Sequence, residues 1–137
     1  MKIRLERRYR FSASHLYRRP EWSEEENRNR FGKCANLPGH GHNYTLWVTI
    51  EGEPERSSGF VSDLGALDEQ VRVSVIERLD HQHLNHCLPE FAEGKLIPSS
   101  ENVLTWIHAQ LARHLAGLVK LRLAEDEDLA AEWVKGA

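Results

Sequence analysis

The sequence predicts an α+β fold: an antiparallel four-stranded sheet with two helices packed on one face. Three observations carry this. Two long N-terminal stretches alternate apolar and polar residues with a period of two. Two central stretches repeat apolar residues at helical spacing, each with one stripe. Two short alternating stretches close the chain. Strands and helices are grouped rather than interleaved, as in a layered α+β domain rather than a parallel sheet. With 137 residues there is material for one core, so 1–137 is expected to be one domain.

The elements follow in order. In residues 2–15, Ile3, Leu5, Tyr9, Phe11 and Ala13 share one parity, broken by Arg7, which makes a half-buried strand. His15 continues that parity and projects from the apolar face. Residues 16–33 are polar, and Ser23-Glu24-Glu25-Glu26 has the form of a capping box, predicting a helix over about 24–31 within a long loop. Tyr44, Leu46, Val48 and Ile50 alternate through a second strand, and His40 and His42 carry its parity back into the loop. Glu53 to Gly59 is rich in turn residues, followed by a short strand at Phe60-Val61-Ser62. Asp63 is placed to cap a helix over 64–79 with the stripe Leu64, Leu67, Val71, Val75 and Leu79.

After Pro98, Ser99 and Ser100 offer caps for the second helix. Its stripe is Val103, Ile107, Leu111 and Leu115, and Gly117 ends it. Val119, Leu121 and Leu123 alternate as a strand whose inward parity reaches Glu125. Glu125 to Asp128 is a turn, and Leu129 to Val134 the last strand. The second sheet face has no cover of its own, and Trp47 and Trp133 are expected there, which points to association with other subunits.

Bulk properties exclude several classes. No stretch has the apolar length of a membrane span, and the charged, alternating N-terminus is unlike a signal peptide. Two cysteines, Cys34 and Cys87, do not make a disulfide scaffold, so a cytoplasmic location with free thiols is expected. Residues 1–33 hold ten Lys/Arg against five Asp/Glu, and the rest eight against sixteen. The acidic remainder opposes nucleic-acid binding and no nucleic-acid motif accompanies the basic third. That third is a solvated face or supplies cations to a phosphorylated small substrate.

The chemistry-bearing residues are concentrated around three histidines. His40 and His42, two apart on an extended chain, point to one face. His15 lies in phase on the neighbouring strand. Three neutral imidazoles suit a zinc ion and leave one position open. The glutamate of a cupin, the Asp-His of a metallo-β-lactamase and the His-Glu-x-x-His of a zincin are missing, so this is an open three-histidine site or no site. Cys34 is either a buried inert thiol or, beside Lys33 and the presumed cation, a thiol whose pKa falls from about 8.5 toward neutral. Cys87 is structural. His81, next to Asp80, is either a helix-terminal cation or a functional imidazole, and His83 a surface residue. Glu125 is either solvated past the strand end or hydrogen-bonded to something specific, for which the paired N–H donors of a guanidine-like heterocycle fit.

With these residues in view the chain resembles the 6-pyruvoyl-tetrahydropterin synthase and 6-carboxy-tetrahydropterin synthase family. The resemblance lies in Phe11-Ser12-Ala13-Ser14-His15, Ser23-Glu24-Glu25-Glu26-Asn27, Phe31-Gly32-Lys33-Cys34 and Gly39-His40-Gly41-His42-Asn43-Tyr44. It continues in Gly59-Phe60-Val61, Leu79-Asp80-His81 and Ser100-Glu101-Asn102-Val103, nearly end to end. It implies the tunnelling fold, whose trimers close their sheets into a β-barrel and stack as a homo-hexamer. It implies zinc on His15, His40 and His42, with Mg2+ a candidate counter-ion of the triphosphate. Cys34 is then the base, and Asp80 and His81 complete a triad from a neighbouring subunit. Glu125 anchors the pterin ring, with Glu101 near that pocket. The implied reaction is lyase chemistry on 7,8-dihydroneopterin triphosphate, giving 6-pyruvoyl-tetrahydropterin and triphosphate, a step of tetrahydrobiopterin biosynthesis. The sister reaction of queuosine biosynthesis gives 6-carboxy-tetrahydropterin and acetaldehyde instead. Five residues between Cys34 and His40 favour the pyruvoyl type. A pterin- or zinc-binding protein without turnover is the remaining alternative.

Overall fold

The computed structural model describes residues 1–137. Strands β1 (Ile3–His15) and β2 (His40–Gly52) form one antiparallel ladder, from Ile3 opposite Gly52 to His15 opposite His40. Strand β4 (Leu118–Ala124) pairs antiparallel with β2, and β5 (Ala130–Val134) with β4. These are the four strands expected. A fifth corrects the sheet: β3 (Gln82–His83) lies parallel to β1 at Ala13 and Ser14, so the sheet is mixed, in the order β3-β1-β2-β4-β5. Two residues are too few to leave an alternation in the sequence. The short strand expected at 60–62 is not formed; the Glu55 N–H donates to the Phe60 carbonyl at 3.0 Å and Val61 packs on the core instead.

The helices start where their caps predict. Ser23 Oγ accepts from the Glu26 N–H at 3.0 Å and opens α1 (Glu24–Phe31). Asp63 accepts from the Ala66 N–H at 3.0 Å and opens α2 (Leu64–Val71). A π-helical stretch, Arg72–Ile76, carries α2 into α3 (Glu77–Leu79). A short α4 (Leu84–Cys87) follows β3. Ser99 caps α5 (Ser100–Ala112), which stops well before Gly117; Leu115 still reaches the core from the following turn.

The core lies between the sheet and α2, α3 and α5. Leu46, Val48, Leu121 and Leu123 on the sheet meet Leu67, Val71, Val75, Ile107 and Leu111 on the helices, all fully or almost fully buried. Burial of each such side chain contributes roughly 1.5–3 kcal/mol. A register shift at Thr49/Ile50 turns Leu118 inward and leaves Val119 half-buried, whereas Leu121 and Leu123 keep the expected parity.

The opposite sheet face has no helix over it. Arg8 stands opposite Trp47, and the Arg122 guanidinium lies 4.5 Å from the Trp47 ring centre. Trp133 is not on that face. It sits opposite Leu121, packs on the core, and its ring centre is 4.2 Å from that of His108 on α5. The expectation miscounted the parity of the last strand. No helix of the chain is long and apolar enough to cross a membrane.

Candidate metal centre and active site

The site lies at the far end of the β1–β2 ladder, on the helix-covered face. Register places His15 directly opposite His40, and His42 opposite Ala13. All three imidazoles therefore point the same way as Phe11 and Tyr44, which stack with ring centres 4.9 Å apart. Each pair of imidazole ring centres is 4.8 Å apart. His15 Nε2 lies 3.2 Å from His40 Nε2.

The loop before β2 needs its glycine. Gly39 has φ +118°, and a Cβ there would stand 2.5 Å from the His15 carbonyl oxygen. Only glycine accepts both the backbone angle and the close approach that delivers His40 to its partner.

Cys34 arrives from the other side. It lies in a 3-10 turn, Gly32–Ala35, after α1. The Tyr17 N–H donates to the Cys34 carbonyl at 2.9 Å, and Arg18 to the Ala35 carbonyl at 3.0 Å. The long polar loop is itself pinned by Asn27, which is buried, accepts from the Arg19 N–H and donates to carbonyls of the same loop. Asn85 clamps the Leu16 backbone by accepting from its N–H at 2.8 Å and donating to its carbonyl at 2.9 Å. Cys34 Sγ then stands 4.0 Å from His40 Nε2.

Glu125 enters from the end of β4. Its parity holds past the strand end, so its side chain is buried and aimed at the histidines. Oε1 lies 3.3 Å from His42 Nε2 and 3.6 Å from His15 Nε2. Of the two alternatives for Glu125, the solvated one is not adopted.

The electrostatics follow from burial. His15 is fully buried, and desolvation, then the charges of His42 and His40, depress its pKa to about 3. It is a neutral imidazole at neutral pH, as a metal ligand must be. Burial first, then the Glu125 carboxylate, pushes the Cys34 thiol up. Of the two expectations for Cys34, the lowering beside Lys33 finds no support, since that side chain is exposed and burial and Glu125 set the direction. Burial also raises the Glu125 carboxyl, against the pull of His42.

Two sets of groups are close enough to hold a cation: His15, Cys34 and His40, and His15, His42 and Glu125. His42 Nε2 and Glu125 Oε1 are buried without a hydrogen-bond partner. Such orphaned polar atoms are rare in folded proteins and fit a metal ion between them.

Not all expected site residues are here. Asp80 accepts from the Ser12 N–H at 2.8 Å, and the His81 N–H donates to the Ser12 carbonyl at 2.6 Å. His81 Nδ1 lies 3.0 Å from Asp80 Oδ1, yet its side chain is 82% exposed. The pair therefore sits on the β1 edge and its hydrogen bonds do not reach the cluster. Glu101, in the first turn of α5, is exposed and lines a cleft of about 450 Å³ with Thr105, His108 and Trp133. Sequence reasoning missed Tyr44 as a site residue. Its hydroxyl lies 3.1 Å from His15 Nδ1, and its in-phase position next to the histidines was the available signal.

Comparison with known proteins gives the family. The family model described as 6-pyruvoyl tetrahydropterin synthase matches residues 4–135. A 6-pyruvoyl tetrahydrobiopterin synthase of Pongo abelii is 37% identical over 93% of this chain and 88% of its own. A dihydroneopterin monophosphate aldolase of Pyrococcus furiosus is 32% identical over 89% of this chain and 86% of its own. The structure of Caenorhabditis elegans 6-pyruvoyl tetrahydropterin synthase superposes with a TM-score of 0.89 at 30% identity, covering 99% of this chain and 97% of that one. The chain belongs to the 6-pyruvoyl tetrahydropterin synthase family and is an enzyme of its lyase type.

Proposed function

We propose that residues 1–137 act as one synthase domain converting 7,8-dihydroneopterin triphosphate to 6-pyruvoyl-tetrahydropterin and triphosphate. The observation that carries the reading is the convergence of His15, His40 and His42, with Cys34 Sγ 4.0 Å from His40 Nε2. A zinc ion on the three imidazoles would supply Lewis-acid polarisation of the substrate's side-chain hydroxyls and a positive charge that favours the Cys34 thiolate.

The chain's residues then divide the work. Cys34 takes a carbon-bound proton from the side chain, and the Asp80–His81 pair of a neighbouring subunit exchanges protons at the same carbons. Shifting the C1′ hydrogens to the ring makes a C1′ ketone and reduces the N5–C6 bond. Loss of the C2′ proton expels triphosphate from C3′, and the resulting enol becomes a methyl ketone. Electrons stay within the substrate, so no redox cofactor takes part. Glu125 holds the pterin ring, with Glu101 near that pocket.

The exposed His81 and the uncovered face around Arg8 and Trp47 support assembly of the sheets into a barrel and a homo-hexamer. Free thiols at Cys34 and Cys87 support a cytoplasmic location.

The test is incubation with 7,8-dihydroneopterin triphosphate and identification of products by mass spectrometry. Triphosphate and 6-pyruvoyl-tetrahydropterin are expected. Acetaldehyde with 6-carboxy-tetrahydropterin, the queuosine-route reaction, would replace the proposed product; absence of turnover in metal-loaded protein would leave a binding protein.

A further inference from the structure

The exposed His81 does not stand alone on its face of the sheet. Ser12 and Ser14 have the opposite parity to His15 and point to the side that no helix covers. With Asn43, His81, Gln82 and His83 they line a cleft of about 500 Å³. An adjoining cleft of about 410 Å³ shares Ser12 and Asn43 and adds Arg10, Thr45 and Asp80. The two make one polar trough along the end of β1, with β3 as one bank. Gly41, opposite Ser14, forms part of its floor. Its φ is not positive, and a Cβ there would meet the Ala13 carbonyl oxygen at 3.4 Å and the Ser14 side chain at 3.8 Å. The backbone does not demand glycine at this position; the missing side chain leaves room in the trough.

The trough is rich in donors that no protein acceptor takes up. Ser12 Oγ donates to Asn43 Oδ1 at 2.7 Å, which leaves the N–H groups of the Asn43 amide free. The Gln82 amide and the Arg10 guanidinium are exposed. Ion pairs engage Arg4, Arg7, Arg18, Arg19 and Arg72, but not Arg10. Ser14 Oγ and His83 Nδ1, 2.7 Å apart, brace the far bank. The one carboxylate present, Asp80, is already engaged: its Oδ1 accepts from the Ser12 N–H at 2.8 Å and lies 3.0 Å from His81 Nδ1. Neutral N–H donors and an unpaired guanidinium, grouped around an imidazole, suit phosphoryl oxygens.

We propose that this trough holds the phosphate chain of a substrate whose pterin and carbon side chain lie at the metal centre of a neighbouring subunit. Triphosphate leaves from C3′, next to a carbon whose protons the Asp80–His81 pair exchanges. A subunit that lends this pair therefore lies beside the leaving group as well. When the C3′–O bond breaks, its electron pair passes to the phosphate oxygen, and donors held at that chain lower the cost of the developing charge. The inference rests on the proposed reaction and deepens it: Arg10, Asn43 and Gln82 bind the phosphates.

The test titrates metal-loaded protein with inorganic triphosphate by calorimetry and follows its inhibition of turnover. Wild type is expected to bind triphosphate, and triphosphate to compete with the substrate. Arg10→Ala is expected to weaken triphosphate binding and to raise KM for 7,8-dihydroneopterin triphosphate, each about tenfold, with kcat changed less. Gln82→Glu, which adds a negative charge to the trough, is expected to act in the same direction. Both side chains are exposed, so neither replacement touches the core. Binding of neopterin, which carries no phosphate, is expected to be unchanged in both. Triphosphate binding unchanged in both variants would overturn the inference, as would a loss confined to Arg28→Ala, in the cleft beside the Cys34 turn. So would wild-type protein that does not bind triphosphate, a readout that needs no variant to fold. The synthase reading fails separately, if wild type shows no turnover; the titration needs none and still decides the trough.

Discussion

The two places that carry candidate chemistry are built in opposite ways. The histidine cluster is the end of a long ladder: His15 is fully buried, its Nδ1 is held by Tyr44, and Cys34 and Glu125 are delivered by pinned turns. The Asp80–His81 pair is a corner after α3, with His81 at φ +60° and its ring in solvent. A residue other than glycine at positive φ is uncommon and is kept where local contacts over-determine it. Here the Ser12 backbone does so from both sides. The contrast teaches that the proposed metal pocket is enclosed by its own chain, whereas the proposed acid–base pair is turned outward. The first is protected from water by its own core, whereas the second is rigid in its backbone and open at its side chain.

The largest effect expected is at Cys34. Replacement by Ala should lower turnover of dihydroneopterin triphosphate by roughly 10²–10⁴-fold, with metal content unchanged by elemental analysis. His81→Ala should do the same. Mixing the two inactive variants before assembly should restore activity, because sites shared between subunits regain one intact copy of each half; random mixing restores roughly a quarter of them. Failure of mixed oligomers to regain activity would mean that the two regions do not meet across a subunit boundary.

Tyr44→Phe comes next. It keeps the ring stacked on Phe11 and removes only the hydroxyl facing His15 Nδ1. Metal affinity should fall about 10–100-fold, since a partner of the second ring nitrogen fixes a histidine ligand's tautomer and orientation. Loss of one hydrogen bond should cost the metal-free fold only about 1 kcal/mol in denaturant unfolding. The same mutation should not touch the Asp80–His81 corner.

The sheet, the caps and the histidine convergence were legible because each rests on a periodicity or a local rule. Parity alone carried His15, His40 and His42 to one face, and it carried Glu125 inward beyond the end of its strand. Parity failed at Trp133, where the last strand is short and follows a turn, and at Val119, where a bulge shifts the register. The electrostatics of Cys34 were not legible, since they depend on burial and on Glu125, a residue distant in the chain. The exposed setting of His81 depends on a two-residue parallel strand that no sequence pattern marks.

A smaller effect separates the two regions by pH. The Ser12 N–H first, then His81, hold the Asp80 carboxyl below its ordinary value of 3.8. Its contribution to stability is therefore fully present above that value and is lost as the pH falls through the lower, folded-state value. Asp80→Asn should flatten the acid limb of stability against pH, measured by thermal unfolding, by lowering stability slightly near neutral pH and leaving it unchanged below the folded-state value.

The most direct test of the histidine pocket is X-ray absorption on the zinc-loaded wild-type protein without substrate. The account predicts one zinc per chain in a shell of nitrogen and oxygen alone, at about 2.0–2.1 Å. A sulfur in the shell at about 2.3 Å, or no stoichiometric zinc, would contradict it.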